Sequence, residues 1–185
     1  METIEFFQEI KIPATVVHVM GVVFGMGGAL TSDVLFSFFS KDKKLNKTEI
    51  STLSILTKLV LWSLIIMSVS GKAIFSYEVG KYLQSHKFLA KMSILVVLLL
   101  NGYILNRYVW PHLLHNKFFK AKKERNVRKL AFACGAVSVI SWVSVCALGV
   151  LDNLSTSYKL ITSIYLLVTL LGIWVSLVIE KKELD

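Results

Sequence analysis

The sequence predicts an all-α integral membrane protein, built as a bundle of five transmembrane helices. Five stretches are apolar over about 20 residues, the length that a helix needs to cross the roughly 30 Å hydrocarbon core of a bilayer. Apolar residues make up 55% and charged residues 18% of the chain, whereas soluble domains are about 25% charged. The mean hydropathy is +0.64. The apolar runs are continuous rather than alternating, which favours helices over a β-barrel.

The spans follow one another with no soluble domain between them, so residues 1–185 are predicted to form a single membrane domain. Pro13, a favourable first-turn residue, begins the first span, while Gly71 and Pro111 mark the ends of the second and third. The predicted helices cover residues 13–39, 50–70, 88–110, 130–151 and 158–179. The gap 152–157 is short and polar, which makes the last two helices an antiparallel hairpin.

Basic residues cluster in alternate gaps, and this bias predicts the orientation of the bundle. The gaps after the first and third spans hold most of the Lys and Arg residues, and the C-terminus adds Lys181 and Lys182. Basic loops stay on the cytoplasmic side, so we expect the N-terminus outside and the C-terminus inside the cell inner membrane. Residues 1–11 are acidic, which does not favour a cleavable signal peptide.

The net charge of +9 would suggest nucleic acid as the partner of a soluble protein, but here it is explained by loops that face anionic lipid. The most basic segment, 111–129, is interpreted either as a solvated extension of its neighbouring helices or as a binding site for anionic lipid headgroups. Residues 71–87 mix aromatic and polar side chains, which is typical of a short helix on the outer surface.

Four ionisable side chains fall within the predicted spans, where charge is costly and therefore points to function. They are His18, Asp33, Lys58 and Lys91. Asp33 and Lys58 lie at similar depths in the inner leaflet, so the first interpretation is an ion pair that sets the register of the first hairpin. A proton or ion relay, or a Lys58 that extends its amine to the interface, are the alternatives.

His18 lies in the outer leaflet, as Lys91 does, and it shares a helix face with small residues. At about 100° per residue, the residues that fall within about 80° of it include Gly21, Gly25, Gly28, Ala29 and Ser32. A face of small residues lets another backbone or a flat ligand approach closely. It is therefore interpreted either as tight helix packing around a hydrogen-bonded histidine or as a haem site with His18 on the iron.

Two segments resemble helices of the haem-carrying bacterial membrane protoporphyrinogen oxidases. The first helix of that family has an early His followed by a Met-Ala-Gly segment, which is similar to HVMGVVFGMGG from His18 to Gly28. Its third helix opens with a Lys before an aliphatic run, as in FLAKMSILVVL around Lys91. The resemblance covers roughly residues 14–111. It implies a site for haem b in which His18 is an axial ligand and Lys91 pairs with a propionate.

Copper resistance protein D, a related-looking membrane family, has a comparable helix, in which a Lys and aliphatic residues lead to Asn-Arg and a Pro. The matching residues here are Lys91, Asn106, Arg107 and Pro111. The chain also departs from the oxidase pattern, because Asp33 lies near the place of an Arg and Asn101 stands in the region of a later His. The second iron ligand is left open, with Met20, Met26, Met92 and His86 as candidates.

Two hypotheses for function follow. The first is a haem-binding, redox-type membrane protein that acts on or with a porphyrin. The alternative is a non-enzymatic small membrane protein, either a transporter-like bundle that uses Asp33 and Lys58 or an accessory subunit. Both hypotheses are compatible with a homo-oligomer, and neither calls for nucleic acid. The residues do not decide whether the chain is an enzyme.

Overall fold

The computed structural model describes residues 2–40, 44–113, 124–151 and 156–184, with side chains described from Ile10 to Lys182 within these ranges. The described residues are helical almost throughout and contain no strand, which confirms the all-α prediction. The helices are α1 (Glu2–Ser40), α2 (Lys47–Tyr77), α3 (Val79–Gln84), α4 (His86–Ile104), α5 (Trp110–Leu113), α6 (Arg125–Val150) and α7 (Tyr158–Leu184). A π-helical segment, Leu105–Val109, joins α4 to α5 without a break.

Five helical stretches of the described chain are long and apolar enough to cross a membrane, as the sequence predicts. They are Ile10–Ser40, Lys47–Tyr77, His86–Leu113, Arg125–Val150 and Tyr158–Lys182. The third combines α4, the π-helical segment and α5. Each stretch is longer than the predicted span, because the helices continue past the edges of the apolar runs.

The helix boundaries predicted at Pro13 and Gly71 differ from the observed ones. Pro13 lies inside α1, which begins at Glu2, and α2 continues through Gly71 to Tyr77. A glycine often ends a helix because it tolerates a left-handed backbone, but Gly71 has another use here. A Cβ atom at Gly71 would lie 3.3 Å from His18 Cε1, so the missing side chain lets the imidazole pack directly on α2.

The third span also continues past the predicted stop at Pro111. Proline has no N–H to donate, and its ring crowds the carbonyl group one turn earlier in an α-helix. The π-helical segment directly before it widens the turn, with the Trp110 N–H donating to the Leu105 carbonyl five residues back. The Asn106 side chain donates to the Gly102 carbonyl at 3.1 Å. The wider turn therefore accommodates the proline, and the helix continues through it instead of ending there.

The core is organised around two helix pairs, which meet where α1 contacts α6. α1 packs mainly on α2, α6 packs mainly on α7, and α4 packs on the second pair. Trp142 of α6, only 1% exposed, packs with Ala29, Leu64 and Leu98 and so joins α1, α2 and α4 to the hairpin. The Ser141 and Tyr165 hydroxyls, 2.8 Å apart, link α6 to α7 within the apolar region. This packing fits the predicted α6–α7 hairpin.

A short helix occurs within segment 71–87, but it is only the six-residue α3 because α2 extends to Tyr77. Aromatic rings connect it to its neighbours. Phe75 stacks on Phe88 with ring centroids 5.5 Å apart, and Tyr82 contacts both rings. Tyrosine side chains such as that of Tyr82 favour the boundary between lipid and water. The cluster therefore fits the predicted place of this segment at a membrane surface.

Candidate functional site

His18 joins α1 to α2. Its Nδ1 atom lies 3.1 Å from the Met67 carbonyl oxygen and 3.2 Å from the Ser70 hydroxyl oxygen. The side chain is half-buried. These contacts are those expected from the packing interpretation of His18, in which the imidazole is hydrogen-bonded between two helices.

The glycines that share the face of His18 are covered by side chains of α2 and α6. A Cβ atom at Gly21 would lie 2.8 Å from Met67 Cγ, and one at Gly25 would lie 2.5 Å from Trp142 Cη2. At Gly28 the nearest atom would be Val60 Cγ2, at 3.1 Å. A macrocycle has no room on this face in the described packing. The residues here therefore do not fit the predicted haem.

The candidate second ligands do not improve the fit. Met20, Met92 and His86 are exposed on the outside of the bundle, and the Met26 sulfur accepts a hydrogen bond from the Cys146 thiol at 3.3 Å. Among the described residues, no group of three or more His, Cys, Asp and Glu side chains is arranged to hold a metal ion. Haem binding by His18 stays a prediction that the packing does not favour.

Lys91 lies in the same part of the bundle as His18, as their matched depths predict. It is half-buried, and its charge acts on both His18 and Cys146. Its Nζ atom would lie 4.0 Å from a Cβ atom at Gly149 of α6. The two residues thus share one polar region towards the predicted outer end, although neither lines the cavity described below.

The structure does not bring Asp33 and Lys58 together, so the predicted ion pair is not formed. Lys58 is exposed on the outer surface of α2, whereas Asp33 points between the helices. The two residues lie at similar depths, but Lys58 is on the side of α2 that points away from the bundle. At about 100° per residue, Lys58 is rotated about 160° from Val60 and about 120° from Leu64, which both face inwards.

A cavity of about 470 Å³ lies between α1, α2, α4, the π-helical segment and α6. Its walls are mainly Leu, Val and aromatic side chains. Polar groups line it at a few points only, namely at Ser32, Asp33, Thr57, Asn101, Asn106, Tyr103, Ser138 and Trp142. An apolar cavity with a few convergent polar groups is the usual form of a small-molecule site in a protein. It is therefore the candidate functional site.

Two polar atoms of residues that line this cavity are buried and make no hydrogen bond within the described structure. They are Asp33 Oδ2 and Trp142 Nε1. On its other side the Asp33 carboxyl faces Gly135, where a Cβ atom would lie 3.4 Å from Oδ1. Asn101, by contrast, donates to the Cys134 carbonyl at 3.0 Å. Buried polar groups are normally satisfied, so an acceptor and a donor without partners among the described residues distinguish the wall of this cavity.

The cavity opens towards the outside of the bundle between α2 and α4. These two helices line opposite walls, but among the described helices they do not pack closely on each other. The residues at the rim are exposed, Leu61 of α2 by 52% and Leu99 and Tyr103 of α4 by 45% and 61%. In a bilayer this opening would face hydrocarbon, since it lies within two spanning helices.

Sequence reasoning missed several residues that matter in the structure. Asn101 was noted only because it stands in the region of a His of the oxidase family. An amide within an aliphatic run is itself a signal of a polar site. Arg128 and Glu180 form a buried ion pair, with Nε and Oε1 3.5 Å apart. Their opposite charges near the open ends of a predicted hairpin were the available signal. Trp142 gave no such signal, because its role depends on which helices meet.

The basic segment 111–129 is only partly described, since residues 114–123, which include His115, lie outside the described ranges. At its ends, His112 Nδ1 lies 2.7 Å from Glu124 Oε2, which ties α5 to the turn that precedes α6. Lipid binding by this segment stays a prediction. Comparison with known protein families, with curated proteins and with solved structures found no match to this chain.

Proposed function

We propose that the chain is a non-enzymatic, transporter-like protein that binds an apolar small molecule with a cationic group in the cavity between α1, α2, α4 and α6. One observation carries the proposal. Asp33 lines an apolar cavity of ligand size, and one of its carboxyl oxygens is buried with no hydrogen-bond partner among the described residues. A carboxylate in such surroundings is stabilised when a cation or a hydrogen-bond donor binds beside it.

The shape of the cavity supports a small lipophilic molecule as the occupant. Its volume of about 470 Å³ falls within the roughly 300–1,000 Å³ typical of ligand pockets. The walls supply apolar contacts, and the carboxyl oxygen of Asp33 supplies one acceptor for a charged amine or related group. The indole N–H of Trp142, which also has no partner among the described residues, would be a donor for a second polar atom of the ligand.

The proposal includes the topology and the membrane predicted from the basic gaps. With the N-terminus outside and the C-terminus in the cytoplasm, the first helix reaches the cytoplasmic side near Ser40, and Asp33 lies about 10 Å before that end. The cavity then belongs to the cytoplasmic half of the inner membrane. A ligand would enter through the opening between α2 and α4.

Ethidium, a planar lipophilic cation, tests the proposal by fluorescence anisotropy on protein reconstituted in lipid nanodiscs. We expect saturable binding that Asp33→Asn weakens at least tenfold, because the substitution keeps the shape of the side chain and removes its charge. Lys58→Gln is the matched control, since it removes a charge that lies at a similar depth but outside the cavity. Unchanged binding by a folded Asp33→Asn protein would overturn the proposal.

An absorbance spectrum separates this proposal from the haem hypothesis. Protein purified from haem-replete cells should show no Soret band if the cavity holds the functional ligand and His18 serves only to pack α1 on α2. A Soret band that His18→Ala abolishes while the protein stays folded would restore haem as the first hypothesis, with Lys91 as its charge partner.

A further inference from the structure

The outer surface of α2 carries a regular stripe of exposed side chains. Its members follow one another at alternating steps of three and four residues, and they are Ser51, Ile55, Lys58, Trp62, Ile65 and Val69. This spacing keeps a continuous line of side chains on one face of a helix and is the pattern by which helices pack on one another. The buried residues Leu53, Leu64 and Met67 lie on the opposite face, against the rest of the bundle.

Lys58 is the unusual member of the stripe. It lies about 12 Å along the helix axis from Ile50, the first apolar residue of α2, which is further than a lysine side chain extends. Trp62, one turn later, is 63% exposed on the same face. Ionisable side chains within a membrane are costly when they face lipid, and they normally pair with an opposite charge.

No second copy of the chain supplies that opposite charge from its described spans. The acidic residues of those spans are Asp33, Glu49 and Glu180. Asp33 faces the cavity, Glu180 is 2% exposed beside Arg128, and Glu49 belongs to the capping box at the start of α2. None of these carboxylates lies on the surface of the bundle at the depth of Lys58.

We propose that the stripe from Ser51 to Val69 is a docking surface for a transmembrane helix of a different protein, which carries an Asp or Glu side chain opposite Lys58. The apolar members of the stripe supply van der Waals contact along the partner helix. The charge pair sets the partner's identity and its depth in the bilayer, because a partner without the carboxylate leaves the lysine exposed to hydrocarbon. This inference is independent of the cavity, which lies on the other side of α2.

Synthetic transmembrane peptides test the charge requirement directly. Each peptide is a Leu-Ala helix with one Glu, Gln or Lys at the depth of Lys58, and it carries an acceptor fluorophore. The protein carries a donor at its C-terminus, and both are reconstituted in phosphatidylcholine vesicles. We expect energy transfer to report at least fivefold stronger association with the Glu peptide than with the Gln peptide.

Substitutions of Lys58 then separate pairing from general stickiness of the surface. Lys58→Gln should remove the preference for the Glu peptide, and Lys58→Glu should create a preference for the Lys peptide. Lys72→Gln, at the end of the same face but outside the apolar run, should leave the wild-type preference unchanged. The reversed preference keeps the test valid even if one variant is produced poorly.

Three results would overturn the proposal. Equal association with the Glu and Gln peptides would show that the surface does not select a carboxylate. A preference lost when phosphatidylglycerol replaces part of the phosphatidylcholine would identify an anionic lipid headgroup as the group that Lys58 binds. Energy transfer between two labelled copies of the chain that falls in Lys58→Gln would identify a second copy as the occupant.

Discussion

The side chain of Asp33 extends from α1, faces α6 and lines the cavity. Its Oδ2 atom is buried without a hydrogen bond, and Gly135 of α6 leaves space on its other side. Lys58, at a similar depth along the neighbouring helix, points outwards. The two charges therefore act in different surroundings, one inside the bundle and one on its surface. Similar depth alone predicted that Asp33 and Lys58 pair, but the rotation of α2 about its axis directs Lys58 away from Asp33.

The separation of Asp33 from Lys58 predicts additive effects on stability. We expect Asp33→Ala and Lys58→Ala to change the free energy of unfolding independently, to within about 0.5 kcal/mol, because neither removes a partner of the other. Denaturant titration of the wild type, both single variants and the double variant in detergent micelles measures the coupling.

The pair of Arg128 and Glu180 is the matched positive control for that cycle. Its side chains are buried and 3.5 Å apart, so substituting each by Met should give a coupling of about 0.5–3 kcal/mol. A similar coupling between Asp33 and Lys58 would contradict the placement of Lys58 on the outer surface.

At the scale of the helix, the glycines of α1 do not all serve the same purpose. Gly21, Gly25 and Gly28 face neighbouring helices, and α1 approaches α2 and α6 closely along this line. Gly27 faces open space, with no atom within 4 Å of the position that its Cβ would take. This face of α1 is thus a packing surface, and its small residues allow Trp142 to reach the centre of the bundle.

A comparison of two alanine substitutions tests this division. Gly25→Ala should lower the free energy of unfolding by about 1–3 kcal/mol, because the new methyl group forces Trp142 to shift in a packed core. Gly27→Ala, two residues away on the same helix, should be neutral or raise stability by up to about 1 kcal/mol, since alanine favours the helix. Unfolding midpoints in one detergent give the difference, and equal effects would show that Gly25 does not contact Trp142 in the folded protein.

At the scale of the whole molecule, composition and apolar length were sufficient to predict the helical class, five helices of spanning length and the α6–α7 hairpin. The ends of the helices were less predictable, since Gly71 and Pro111 are accommodated by contacts with His18 and by the π-helical segment. The predicted match in depth between His18 and Lys91 agrees with their place in the same part of the bundle. The cavity could not be predicted, because it depends on which helix faces meet, and apolar periodicity is weak where both lipid and core are apolar.

The orientation of the bundle is tested by reporters that act on one side of the membrane only. A fusion after Asp185 should be active in the cytoplasm, and one inserted after Glu78 in the outer segment should be active outside, because the basic gaps stay in the cytoplasm. Alkaline phosphatase and green fluorescent protein provide opposite readouts at each site. Phosphatase activity at the C-terminal fusion would mean that the bundle is inverted.

The opening between α2 and α4 has a consequence for how the concentration of a ligand is expressed. Because its rim lies along two helices of spanning length, the proposed ligand would reach the cavity from the bilayer rather than from the surrounding water. Its effective concentration is then set by its partition coefficient and by the amount of lipid present. Adding empty vesicles at a constant total amount of a lipophilic compound would dilute it within the membrane phase. Affinities for this cavity are therefore properly expressed as mole fractions in lipid.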